Sequence, residues 1–288
     1  MKGRKNRILV TGGFGQLGRC LHSVSEYHIE FEFYFASSKD VDITNKESMT
    51  LFFKNNSFDY VINCAAYTNV EQAEKEPEKA FVVNTYGAKN LAQICKEKNI
   101  VLIHISTDYV FDGSKGKPYT EEDRTNPINE YGKSKLLGEQ YIQECAHKYF
   151  IIRTSWLYSQ FGKNFYKTIL QKSATEKKLS ITTSETGTPT NANDLAEFII
   201  AIIKSTSSKY GIYHFSNLGE STWYDFAYEI VKVSNKVDVI NIEKADNYPT
   251  FAQRPKYSVL SKKKSIESFG LNILSWDNSL NCFFRKNK

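Results

Sequence analysis

The stretch RILVTGGFGQLGRCL, Arg7–Leu21, decides how this chain is read. RILVT is an apolar run of strand length. Glycines at 12, 13, 15 and 18 follow it, and QLGRCLHSV then repeats its apolar residues at helical spacing. Strand, glycine-rich turn and helix in that order form the setting in which such a loop cradles a dinucleotide pyrophosphate; a glycine-rich turn with no ligand is the alternative. On the first reading Gly12 takes the tight turn, Gly15 lets the backbone approach the phosphates, and Gly18 lets the helix lie close to the sheet. The helix start supplies free N–H groups and a partial positive charge.

The alternation continues outward from this loop. FEFYFAS reads as a second strand, and TNKESMTLFFKNN as a helix capped by Thr44 with Glu47 closing a capping box. FDYVINCAA is a third strand. PEKAFVVNTYGAKNLAQICKEKN is a long helix opened by Pro77. IVLIHIST, NEYGKSKLLGEQYIQECAHK and YFIIRTS then read as strand, helix and strand. Near-continuous apolar strands separated by helices predict an α/β fold: a doubly wound parallel sheet covered on both faces, of the Rossmann type. Beyond Trp156 the alternation loosens. The expected division is a cofactor-binding domain over residues 1–156, joined by part of 190–216, and a smaller interleaved C-terminal substrate lobe over 157–288. KSTSSK, Lys204–Lys209, reads as a surface turn after a helix.

Composition narrows the class. The 288 residues are 41% hydrophobic and 24% charged, as in an ordinary globular protein, and can bury a large core. The net charge of +6 sits on the tails. MKGRKNR carries four basic residues and RKNK three, and removing these seven leaves the body at −1. That argues against a nucleic-acid groove. Five scattered cysteines with no C-x-x-C pair point to reduced thiols in the cytoplasm. After the basic start, ILVT runs straight into glycines and gives no apolar core of sufficient length, so no signal peptide is expected. FIIAII, the longest apolar run, is far too short to span a membrane.

Two further features bear on chemistry. No carboxylate stands directly at the end of the second strand, where an NAD-type site would place one on the ribose. Ser37, Ser38 and Lys39 stand there instead, which suits a 2′-phosphate; Lys39 reads equally as a solvated loop residue. In NEYGKSK, Tyr131 and Lys135 lie four apart and share a helix face. A phenol of pKa about 10 is a poor acid near neutrality, and an ammonium beside it lowers that value. Among 18 tyrosines the pattern recurs once, at Tyr228 and Lys232. Position favours Tyr131, because it follows the strand whose polar end, Ser106, Thr107 and Asp108, points into the ligand crevice of such sheets. The five histidines show no ligand spacing, and His104, inside a strand, reads as a satisfied core histidine. No metal site is expected.

Taken in order, TGGFGQLG, DYVINCAAYTNVEQAE, ISTDYVFDG, INEYGKSKLLGE, RTSWLY, GTPTNANDLA, GIYHFSNLGESTWYDFA and QRPKYSVL resemble the extended short-chain dehydrogenases and, within them, the dTDP-4-dehydrorhamnose reductase family. The resemblance runs from about Arg7 to about Trp276. It implies hydride transfer from NADPH, with NADH as a second donor, to the C4 ketone of a nucleotide sugar. It implies that Tyr131 donates the proton, that Lys135 lowers its pKa and holds the ribose, and that Thr107 bonds the same carbonyl oxygen. Gly15, Gln16 and Leu17 would touch the phosphates, Asp42 and Ile43 the adenine, and Ala65, Ala66 and Tyr67 the ribose and phosphates. Thr68, Asn69, Val70, Asp108 and Trp156 would face the sugar, and Arg254 the nucleotide diphosphate. Some relatives form a homodimer around a metal held by C-terminal glutamates. LNILSWDNSLNCFFRKNK has no glutamate, so no such metal is expected and the homodimer stays open. The rival readings are an epimerase or dehydratase of the same superfamily, a non-catalytic regulatory subunit of reductase-like fold, and a nucleotide-binding globule without chemistry.

Overall fold

The computed structural model describes residues 4–246 and 249–287. The outermost residues of both basic tails, 1–3 and 288, lie outside the described residues.

The first half alternates as its sequence pattern predicts. Strand β1 (Asn6–Thr11) leads to helix α1 (Gln16–Ser25), β2 (Phe31–Ala36) to α2 (Lys46–Asn55), and β3 (Tyr60–Asn63) to α3 (Val70–Lys75), α4 (Pro77–Phe81) and α5 (Ala88–Glu97). β4 (Val101–Thr107), α6 (Glu130–Cys145) and β5 (Tyr149–Thr154) follow. Then come β6 (Leu157–Tyr158), α7 (Phe165–Thr175), β7 (Lys178–Thr182), β8 (Thr186–Gly187), β9 (Thr190–Asn191), α8 (Ala192–Ser205) and β10 (Gly211–His214). The chain closes with β11 (Ser221–Thr222), α9 (Trp223–Val233), β12 (Asn241–Ala245), α10 (Lys263–Phe269) and α11 (Trp276–Lys286).

Six strands form one parallel sheet in the order β10-β5-β4-β3-β1-β2. The chain leaves β1 toward β2 and returns to the other side of β1 as β3. The order therefore reverses there, and in such sheets ligands bind outside the carboxyl ends of the strands at that switch point. One face of the sheet packs Ile8, Val10 and Ile103 against Leu17 and Leu21 of α1 and Leu195, Ile199 and Ile203 of α8. The other packs Leu9, Val61 and Ile151 against Met49, Leu91 and Ile142. A separate core of Tyr158, Tyr166, Phe226, Ile230 and Leu280 holds the later helices together. α8 and β10 thus join the large sheet although they lie far along the chain.

Three local details differ from the sequence pattern. The N-cap of α2 is Asn45, not Thr44: its side chain accepts the Ser48 amide at 2.9 Å, while Thr44 is drawn back onto Asp42. The long helix after Pro77 is interrupted by a π turn at Val82–Gly87. That turn admits the backbone of α6: a Cβ on Gly138 would stand 2.3 Å from the Asn84 carbonyl oxygen. The Lys204–Lys209 turn begins as expected, with Thr206 closing α8 in the left-handed conformation.

The sheet and α6 are joined by a buried ion pair. Glu139 on α6 accepts Arg153 Nη2 at 2.7 Å and Nε at 3.0 Å, and also accepts the Ser106 hydroxyl. Both side chains are almost fully buried. Removing one member leaves the other charge buried and unpaired, at a cost of roughly 3–5 kcal/mol. Glu139→Leu is therefore expected to lower unfolding stability by that amount in urea titration. A loss under about 1 kcal/mol would show that the pair contributes as little as an exposed one.

Candidate active site

A cavity of about 580 Å³ opens at the carboxyl ends of β1, β3, β4 and β5. Gly15, Gln16 and Leu17 enter it from the first loop, Ala66, Thr68 and Val70 from the third, and Thr107 and Asp108 from the end of β4. Tyr131 and Lys135 enter from α6, Trp156 from the end of β5, and Arg254 from the C-terminal segment. Gly12, Gly18, Lys39, Asp42, Ile43, Ala65, Tyr67 and Asn69 are not among the residues lining it.

The glycine loop is shaped by contact. Gly12 has φ +64°, and a Cβ there would lie 2.7 Å from the Ala65 amide nitrogen. At Gly18 a Cβ would lie 2.5 Å from the carbonyl oxygens of Gly12 and Gly13, so only glycine lets α1 start this close to β1. Gly15 is the N-cap of α1, no side chain caps the helix, and its first turn carries no acid. Its N–H groups and positive dipole end are thus left for an anion at the cavity edge.

The end of β2 is more acidic than its local sequence indicates. Asp40 turns back and accepts both the Ser37 amide at 2.9 Å and the Ser37 hydroxyl at 2.6 Å, which hold its carboxyl below the usual range. A carboxylate therefore does stand at the strand end, beside exposed Lys39 and Ser38. Asp42 is engaged by Thr44, and Ile43 is buried against Gly87. Asn69 spends its side chain capping α3.

At the centre, burial pushes the Tyr131 phenol up to about 12, against a smaller downward pull from the neighbouring Thr107 hydroxyl. Lys135 is 2% exposed, and burial lowers its pKa to about 8. Its Nζ donates to the Ile105 carbonyl at 2.6 Å and lies 3.3 Å from His104 Nε2. In this arrangement the Lys135 amine turns into the sheet, toward Ile105 and His104. Asp108, 2% exposed, receives the Thr107 hydroxyl at 3.1 Å, and burial raises its pKa to about 7.

The far wall is aromatic. Trp156, held at φ +44°, stacks on Trp223 with ring centroids 3.7 Å apart. Gly187 accommodates it, since a Cβ there would lie 2.6 Å from the indole. Glu185 accepts the Trp223 indole N–H at 2.8 Å. Arg254 Nη2 donates to Glu71 at 3.0 Å, and Glu71 also accepts the Phe251 and Ala252 amides. The competing pair is elsewhere: Tyr228 is exposed and stacks on Tyr224, and Lys232 binds Glu229 at 2.9 Å.

Sequence reasoning missed Trp223, Glu71 and Asn84. Asn84, within the π turn, bonds both backbone polar groups of Tyr67 and the Ser134 hydroxyl, tying the third loop to α6. Its only signal was an amide inside an apolar helical run.

Asp108 gives a signed pH prediction. Its folded pKa of about 7 lies above the unfolded reference near 4, so the protonated form is favoured by folding. Stability from this group is full below about pH 4, falls as pH rises to about 7, and stays reduced above that. Asp108→Asn removes the ionisation. The variant is expected to gain stability at pH 8 by a few kcal/mol, at about 1.4 per pKa unit, and to match the parent protein near pH 4.5. Urea titrations at the two pH values check this; equal differences at both would contradict a buried, ionisable Asp108.

Comparison with known proteins agrees with this geometry. The family model described as the RmlD substrate binding domain matches residues 6–288. The dTDP-4-dehydrorhamnose reductase of Aggregatibacter actinomycetemcomitans is 37% identical over 284 residues, covering 95% of this chain and 97% of that protein. The spore coat polysaccharide biosynthesis protein SpsK of Bacillus subtilis is 39% identical over 274 residues, with 95% of each chain covered. The crystal structure of the Bacillus anthracis dTDP-4-dehydrorhamnose reductase, in complex with NADP, superposes with a TM-score of 0.94 at 37% identity, covering 98% of this chain and 100% of that one. The chain belongs to the dTDP-4-dehydrorhamnose reductase family.

Proposed function

We propose that this protein reduces the C4 ketone of dTDP-4-dehydro-L-rhamnose to the alcohol of dTDP-L-rhamnose, using NADPH. The observation that carries the reading is one cavity in which the uncapped start of α1 meets Thr107, Tyr131 and Lys135. The residues fit a dinucleotide: glycine at 12 and 18 lets the loop and α1 close tightly on the neighbouring backbone, and the first N–H groups of α1 are left for phosphate. When bound, NADPH supplies the hydride. Gly15, Gln16 and Leu17 would hold its phosphates, Ala66 would border its ribose, and Lys39 would pair with a 2′-phosphate. Asp40, fixed at the same strand end, opposes that charge and keeps NADH usable.

Tyr131 gives its proton to the ketone oxygen, and the Thr107 hydroxyl bonds the same oxygen and fixes its place. A phenol raised by burial holds its proton firmly at neutral pH and releases it as negative charge develops on the ketone oxygen. Lys135 anchors the ribose when it is charged. Trp156 and Trp223 form the wall on which the sugar lies, and Arg254 meets the diphosphate. Residues 1–156, with part of 190–216, carry the cofactor, and the later lobe carries the sugar nucleotide. Among the described residues no helix is long and apolar enough to cross a membrane. The tail-borne charge argues against a nucleic-acid partner, and the unpaired cysteines support a cytoplasmic enzyme.

Oxidation of NADPH followed at 340 nm, with and without the keto sugar, tests the activity; no sugar-dependent oxidation would contradict it. Tyr131→Phe removes the proton donor and keeps the ring. Its kcat is expected to fall by about 10²–10⁴ with cofactor binding retained; near-normal turnover would reject Tyr131. Lys39→Ala is expected to weaken NADPH by roughly tenfold or less at this exposed site and to leave NADH unchanged. Equal effects on both cofactors would make Lys39 a solvated loop residue.

A further inference from the structure

A buried chain of polar groups runs from the cofactor side of the sheet to Lys135. The Thr11 hydroxyl donates to Asn63 Oδ1 at 2.7 Å, and the Ala65 amide donates to the same oxygen at 3.2 Å. Asn63 Nδ2 lies 3.0 Å from His104 Nδ1, and His104 Nε2 lies 3.3 Å from Lys135 Nζ. Every side chain in the chain is 2% exposed or less.

The direction of this chain follows from one unambiguous donor. A backbone N–H only donates, so the Asn63 atom facing Ala65 is the oxygen, and the atom facing His104 is the NH₂. His104 Nδ1 must then accept. Burial keeps the His104 ring neutral by lowering its pKa well below the usual value, so its single proton lies on Nε2. That N–H points at Lys135 Nζ. An ammonium offers only donors, so it meets this N–H donor to donor, whereas a neutral amine accepts from it and still donates to the Ile105 carbonyl.

We propose that His104, oriented by Asn63, is a positioning residue for the reductase reaction that sets the charge of Lys135 by presenting an N–H to its amine. The inference rests on the assignment of Lys135 to the site proposed above. The other groups around Lys135 do not supply this control. Cys64, after β3, is held as the neutral thiol by burial. Glu139, one turn along α6, favours the ammonium but is already bound by Arg153 and Ser106. Tyr131, on the same face of α6, stays protonated. Burial lowers the Lys135 pKa to about 8, and an N–H from His104 favours the neutral amine in the same direction.

The direct test is ¹⁵N NMR of the histidine rings in the intact protein at pH 7, with His104 assigned by the loss of its signal in His104→Leu. A protonated Nε2 and bare Nδ1 are expected; the opposite tautomer, or an imidazolium, would overturn the proposal. The second test is kinetic. In Asn63→Asp a carboxylate oxygen accepts from His104 Nδ1–H, which turns Nε2 into an acceptor for the ammonium. The alkaline limb of kcat/KM is then expected to move to higher pH by about one unit, and by less than half of that in a His104→Leu background. An equal shift in both backgrounds would mean that the new charge acts through space, and would overturn the relay. Lys135→Met separates the two assignments: an alkaline limb that survives it removes Lys135 from the proposed mechanism and the kinetic consequence with it, while the NMR result still decides the tautomer.

Discussion

A carboxylate with no exposed surface cannot stand alone in a protein interior, and the architecture of this site depends on how Glu139 is satisfied. Arg153 from β5 and Ser106 from β4 both reach it on α6. The pair is weak evidence for net stability, since desolvating two charges offsets much of their attraction. Its geometric effect is stronger. It fixes the axial position of α6 against two adjacent strands, and Lys135 and Tyr131 lie one and two turns before Glu139 on the same helix. Thr107 and Asp108 lie immediately after Ser106. One bidentate contact thus sets the register between Tyr131 on the helix and Thr107 at the strand end.

Around that anchor, polar side chains join the loops that sheet hydrogen bonds do not reach. Asn84 ties the loop after β3 to α6, Asn63 ties the β1 and β3 ends to His104, and Glu71 ties the Phe251–Arg254 segment to α3. Each is a short side chain with its partners fully determined, and each spans elements distant in sequence. The π turn at Val82–Gly87 serves the same end: it widens the helix where Gly138 approaches and turns Asn84 toward the active-site loop. The cavity is therefore built at the ends of the sheet strands and on α6, and is bordered on one side by Trp156, just after β5, stacked on Trp223 of α9.

The parts of this arrangement legible in sequence are those set by periodicity and by backbone sterics. Apolar runs of strand length between helical spacings gave the parallel sheet, and the Gly12 and Gly18 positions follow from contacts no other residue tolerates. Tyr131 was separable from Tyr228 because topology places the end of β4 at the crevice. What stayed hidden depends on where a side chain turns. Asp40 reads as a loop acid three residues beyond Ser37, yet folds back to the end of β2. Lys135 shares a face with Tyr131, yet its amine turns to Ile105 and His104. His104 is satisfied on both ring nitrogens, as a core histidine should be, but one of those contacts is to Lys135, which lines the cavity. Trp223 and Glu71 lie within the quoted motifs, but their partners, Trp156 and Arg254, are distant in sequence and meet them only in the fold.

The central claim is that one cavity brings a nicotinamide donor and a sugar ketone together beside Tyr131 and Thr107 for a net reduction. The most direct measurement uses NADPH deuterated at the transferring position of the nicotinamide, with dTDP-4-dehydro-L-rhamnose as acceptor and the product read by NMR and mass spectrometry. The account predicts one deuterium at the C4 carbon of the sugar for each NADPH consumed. A sugar altered without net consumption of NADPH, as an epimerase would leave it, or a reduced sugar without deuterium at C4, would contradict it.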